Sequence, residues 1–180
     1  MEILNLPGIG NSGQDHWQSL WEAGDNRFLR FQPTSWDAPE LDDWIAALDR
    51  AIGVCSAPPV LVAHSLACLL VAHWAARTRV PIAGALLVAL PDPDGAAFPD
   101  AAASFRPVPA KALPFPSMVV ASSNDPYGSV AYSQAQARLW GSRFLVLGDL
   151  GHINGSSGLG VWPEGLAILS VFIGSLTAQP

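Results

Sequence analysis

The sequence is poor in positive charge and in cysteine. Its 180 residues hold nine Lys and Arg against fifteen Asp and Glu, a formal net charge of −6, and Lys111 is the sole lysine. Such a surface repels a phosphate backbone, so no nucleic-acid partner is expected. The two cysteines, Cys55 and Cys68, fall on either side of one apolar stretch and read as small core hydrophobes rather than a disulfide framework. That usage agrees with a reducing, cytoplasmic location, as does an opening segment with Glu2 where an export signal needs positive charge. Half of the residues are hydrophobic, yet no run approaches the roughly 20 needed to cross a bilayer, so no membrane span is expected. The length suits one domain over residues 1–180.

What is present is organised around residues 60–74. Val60 to Ala63 read as a strand buried on both faces, and the chain from Leu66 to Val80 contains no Gly or Pro, so a helix follows at once. Ser65 stands at the junction. A serine forced onto so sharp a strand-to-helix turn exposes its hydroxyl at the sheet edge, over the positive end of the next helix, which is the geometry of a nucleophile elbow. The usual pattern has glycine two residues before and after the serine. Ala63 and Ala67 keep the small volume that the close approach of strand and helix demands.

Other elements follow in order. A strand over 2–6 leads into a loop, Pro7 to Gly13, and a helix over 14–22; a second strand spans 27–31 and a second helix 38–52, with Asp37 as its expected N-cap. A fourth strand spans 82–90 and is followed by an irregular Ala- and Pro-rich stretch to Pro116 that suits an active-site rim. Strands over 117–121 and 144–147, a helix over 130–140 and a last helix over 163–176 complete the chain. A helix or long crossover between successive strands spells about six mainly parallel strands with helices on both faces.

In such a sheet the strand C-termini share one edge, where ligands bind. Ser65, Asp125 and His152 follow the third, fifth and sixth strands and so meet there. A serine hydroxyl needs an imidazole to take its proton, and the imidazole needs a carboxylate to fix its tautomer. Asp92, after the fourth strand, is the rival acid, and Asp149 is expected to cap its local turn. His64 is expected to point away from the pocket or pack on the sheet, and His73 to be structural. The loop 8–13 shares the edge, so its backbone N–H groups and that of Leu66 are candidate oxyanion donors. Asn11 and His16 are candidate pocket-lining residues. The loop also spells G-x-G-x-x-G, a dinucleotide-binding fingerprint, but the acid that should close the second strand is missing.

Four blocks together, Leu6 to Ser12 with Asp15-His16-Trp17-Gln18, Ala63 to Ala67, Leu113 to Pro116 leading to Ala121 to Tyr127, and Gly151 to Asn154, resemble the small α/β-hydrolases of the retinoblastoma-binding serine hydrolase and YdeN-like family. The resemblance implies a trimmed, single-domain α/β-hydrolase fold without a separate cap domain. It also implies Ser65 as nucleophile, Asp125 as orienting acid and His152 as base, with Ile9 the donor in the oxyanion loop. The retinoblastoma-protein partner does not carry over, because Leu66-Ala67-Cys68-Leu69-Leu70 lacks the acid of the L-x-C-x-E sequence. The expected activity is a carboxylesterase-like serine hydrolase cleaving a small-molecule ester, with an amide or peptide as second choice, through an acyl-enzyme and with no metal or organic cofactor. Two alternatives stand beside it: a hydrolase-fold binding protein with a vestigial triad, and a dinucleotide binder using Gly8 to Gly13.

Overall fold

A computed structural model describes residues 1–177. Six strands, β1 (Ile3–Leu6), β2 (Phe28–Arg30), β3 (Val60–His64), β4 (Gly84–Val88), β5 (Ser117–Ser122) and β6 (Arg143–Leu147), form one sheet in the order β2-β1-β3-β4-β5-β6, with every pairing parallel. Five helices intervene or follow: α1 (Trp17–Gly24), α2 (Leu41–Gly53), α3 (Leu66–Arg77), α4 (Val130–Trp140) and α5 (Pro163–Thr177). The period of two along each strand decides which core a residue joins. Leu4, Leu61, Ala63, Leu87 and Val119 pack with α2, α3 and α4 on one face. Ile3, Val60, Val62, Leu86 and Val120 pack with α1 and α5 on the other. Both faces are thus covered by helices, which is why the central strands are continuous apolar runs. All seven tryptophans lie in or against these two cores.

Several boundaries differ from the sequence reading. The second helix starts at Leu41, not Ala38, and Asp37 does not cap it; the Leu41 N–H is taken by the Ser104 hydroxyl at 3.2 Å, from 63 residues away. The first helix starts at Trp17 rather than Gln14, capped by His16, whose Nδ1 accepts from the Gln18 N–H. The fourth strand is shorter than 82–90 because Ala89 turns to φ 57° and sends its N–H to the Val120 carbonyl. The stretch 91–116 folds back: its 3₁₀ turn, Asp100–Phe105, buries Ala102 and Phe105 against α2 and α3. Among the described residues no helix is long and apolar enough to cross a membrane.

Candidate active site

β3 delivers Ser65 to the carboxyl edge of the sheet in a conformation that few residues adopt, φ 55° and ψ −126°. Such a non-glycine φ costs on the order of 1–3 kcal/mol and survives only where its surroundings over-determine it. Here the Ser65 N–H donates to the Val88 carbonyl at 2.9 Å and its carbonyl accepts from Cys68 N–H at 2.9 Å, tying the turn to β4 and to α3. Ala63 and Ala67, two residues before and after the serine, are both fully buried. The first loop lies directly on this turn. A Cβ added at Gly8 would stand 2.9 Å from the Ser65 Cβ and 3.3 Å from the Leu66 nitrogen, so only glycine lets the backbone pass.

His152 reaches Ser65 from the loop after β6. Its Nε2 lies 2.8 Å from the Ser65 Oγ, and its Nδ1 lies 2.9 Å from each Asp125 carboxylate oxygen. Asp125 is held in turn by the Tyr127 N–H at 2.9 Å. The three residues named from the sequence are therefore brought together in one hydrogen-bonded row. Asp92, the rival acid, turns its carboxylate to the Asp94 N–H instead, while its own N–H bonds the Tyr127 carbonyl. The turn of Asp125 packs so closely on that strand end that a Cβ at Gly128 would overlap the Leu90 carbonyl. Contrary to the sequence reading, Asp149 does not cap its own turn; its carboxylate accepts from the Ser123 hydroxyl, joining the β5 and β6 loops.

A cavity of about 690 Å³ opens over this row. Ile9, Leu66, Pro91, Ala97, Phe98 and Pro99 give it an apolar wall, and Asn11, Gln14, Asp15, His16, Asn154 and Ser156 a polar one. The side chains of both Asn11 and His16 thus border the cavity. Asn11 takes φ 65°, and its Oδ1 accepts from Arg30 Nη1 and the Ser12 N–H. Among the described residues, the backbone N–H groups of Ile9 and Leu66 carry no intramolecular hydrogen bond, whereas Gly10 donates to Trp36 and Asn11 to Gly8. The glycine loop does not open directly into a helix, since α1 begins four residues past Gly13 and the His16 side chain caps the Gln18 N–H in its first turn. A pyrophosphate has no helix terminus to meet there. Among the described residues no group of three or more His, Cys, Asp or Glu is arranged to hold a metal.

A sequence profile described as serine hydrolase matches residues 3–171. The chain belongs to the serine hydrolase family. A protein from Pectobacterium atrosepticum described as a YdeN-like hydrolase is 32% identical, with 97% of this chain and 91% of that one covered and a TM-score of 0.87. The ydeN gene product of B. subtilis, 17% identical, has a TM-score of 0.78 over 96% of this chain and 98% of its own. A thermophilic esterase from Thermogutta terrifontis, 16% identical, has a TM-score of 0.68 over 98% and 90%. The last two show the α/β-hydrolase fold. No curated protein matches the sequence.

Within this serine hydrolase His64 is buried on the sheet, one of its two expected placements, but the other fails. It does not point away: it borders the cavity, and its Nε2 lies 2.9 Å from the His152 carbonyl oxygen. Strand parity carries the missed signal, since His64 shares the face of Val60 and Val62, which is the face α1 covers. Its ring stands at 5.0 Å from His152 and 4.8 Å from His16, making a row of three imidazoles. Burial, with the nearby Arg30 and His152 charges, lowers His16 to about 4. Burial also holds His64 well below the usual histidine range. His73 is structural, as expected, with its Nε2 2.9 Å from the Phe105 carbonyl.

Proposed function

We propose that this chain hydrolyses small neutral esters, carboxylesterase-like, through a Ser65–His152–Asp125 triad and an acyl-enzyme. The observation that carries the reading is the continuous row from the Ser65 Oγ through both ring nitrogens of His152 to Asp125, set on a turn with φ 55°. In the first half-reaction His152 Nε2 accepts the hydroxyl proton as Oγ attacks the carbonyl carbon. Asp125 holds the proton on Nδ1 and stabilises the imidazolium that forms. The carbonyl oxygen becomes an oxyanion beside the free N–H groups of Ile9 and Leu66, and each such donor is worth about two to three powers of ten in rate. Collapse passes the proton from His152 to the departing alkoxide and leaves the acyl group on Ser65. Water, deprotonated by the same imidazole, then releases the acid.

The cavity supports the substrate class. Its volume suits a ligand of modest size, its apolar wall suits an acyl chain, and Asp15 is the one Asp, Glu, Lys or Arg among its lining residues. Neutral esters therefore fit better than anionic ones. Burying each added methylene on the apolar wall is worth about 0.8 kcal/mol, so kcat/KM for p-nitrophenyl esters should rise about fourfold per carbon from acetate until the wall is covered. Turnover of p-nitrophenyl acetate with an initial burst, lost in Ser65→Ala, is the expected result. Unchanged turnover by Ser65→Ala removes Ser65 from the mechanism, and no turnover of any ester by the wild type favours a binding protein with a vestigial triad. A thermal-shift titration with NAD and NADP should show no stabilisation, against about 2.7 kcal/mol for a true ligand at a hundred times its Kd.

A further inference from the structure

The loop that carries the base is backbone-strained at its centre. Ile153, immediately after His152, is β-branched, fully buried and at φ 45°, a region that such residues avoid. Two consecutive carbonyls at this point each receive one buried ring N–H. The His152 carbonyl faces His64 Nε2 at 2.9 Å, and the Ile153 carbonyl accepts from Trp17 Nε1 at 2.7 Å. A carbonyl can only accept, so Nε2 of His64 bears the proton. His64 is also the residue before Ser65, one peptide bond from the nucleophile. Among the described residues it is thus the one side chain that ties the backbone of the base directly to the backbone of the serine.

We propose that His64 is a positioning residue: its Nε2–H bond to the His152 carbonyl, with Trp17 acting one residue on, registers the imidazole against the Ser65 hydroxyl. The role rests on His152 being the base. Loss of the bond releases the strained Ile153 peptide and lets the ring drift from Oγ, while the cavity walls and the oxyanion donors stay in place. The defect therefore falls on kcat. The adjacent imidazole of His16 does not share this role, because its Nδ1 is committed to the Gln18 N–H and it bonds no part of the His152 loop.

Two amides separate reach from polarity. In His64→Gln the side-chain N–H extends to the place of Nε2, whereas in His64→Asn it stops at the place of Nδ1, short of the carbonyl. Steady-state kinetics on p-nitrophenyl butyrate should put His64→Gln within about fivefold of wild-type kcat and His64→Asn down about 50-fold, both with KM changed less than threefold, since a misplacement of about 1 Å costs on the order of a hundredfold. Trp17→Phe, which keeps an aromatic ring and removes the second donor, should lose about fivefold in kcat. The downfield proton NMR signal of His152 Nδ1–H should persist in His64→Gln and broaden or vanish in His64→Asn. Equal kcat in the Gln and Asn variants, or a loss appearing in KM alone, overturns the proposal. Should one amide fail to fold, Trp17→Phe and the signal in the other decide it: wild-type kcat in Trp17→Phe together with an unchanged signal in His64→Asn, or a lost one in His64→Gln, also overturns it. A fully active Ser65→Ala protein would instead remove the triad reading on which the proposal stands.

Discussion

The two turns that meet at the site are built in opposite ways. The turn at Ser65 is local: β3 ends, α3 begins, and the strain is contained by bonds to β4 and to the first turn of α3. The turn at His152 is assembled from afar. Leu150 N–H is held by Ser122, Gly151 N–H by Asn124, the Leu150 carbonyl by Ser157, and the His152 and Ile153 carbonyls by His64 and Trp17. A rigid nucleophile can rest on regular secondary structure, whereas an imidazole that must face both a hydroxyl and a carboxylate needs its backbone hung from several elements. Damage to the first turn should therefore be severe and confined to chemistry, and damage to the second graded and shared with stability.

The largest effect is expected from Ser65→Ala, which should lower kcat for p-nitrophenyl acetate by about 10⁴-fold or more, with the melting temperature little changed because alanine keeps the same backbone turn. Gly8→Ala comes next. Its methyl group would press on the Ser65 Cβ at 2.9 Å and push the Ile9 N–H from its place, costing about a hundredfold in kcat with little change in the unfolding midpoint. On the other side of the comparison stands acid stability. The unfolded chain protonates His16 near pH 6.5 while the folded chain resists until about 4, so the contribution is complete above pH 6.5 and is lost as pH falls towards 4. That gap amounts to about 3 kcal/mol, and His64, lowered by burial, adds in the same direction. Urea midpoints at pH 7.5 and 4.5 should fall less in His16→Asn, which keeps an N-cap oxygen, than in the wild type.

Smaller effects sharpen the contrast. Asn124→Ala leaves the Gly151 N–H without its 2.7 Å partner and should cost about tenfold in kcat and a few degrees of melting temperature together. Asp92→Asn should leave kcat within about twofold, because that carboxylate bonds its own turn; a larger loss in Asp92→Asn than in Asp125→Asn, measured side by side, would reverse the assignment of the acid.

This difference in construction also sets what could be read from letters. Val60 to Trp74 announces the elbow because a buried strand, one serine and an uninterrupted apolar helix are local patterns. The order Ser65, Asp125, His152 follows from strand ends sharing one edge of a parallel sheet. The role of His64 was not legible, because it depends on a loop 88 residues away turning back beneath it. The start of α2 failed for the same reason: Ser104, not Asp37, meets its first N–H. His16 as helix cap escaped notice since periodicity locates the body of a helix better than its first turn.

The central claim is that Ser65 is a nucleophile activated by His152. Reaction with a fluorophosphonate probe, followed by mass spectrometry of the labelled peptide, tests it directly in wild type, His152→Ala and Ser65→Ala. The account predicts a single adduct on Ser65 in the wild type, labelling slowed by at least about a hundredfold in His152→Ala, and none in Ser65→Ala. An adduct on another residue, or His152→Ala labelled as fast as the wild type, contradicts it.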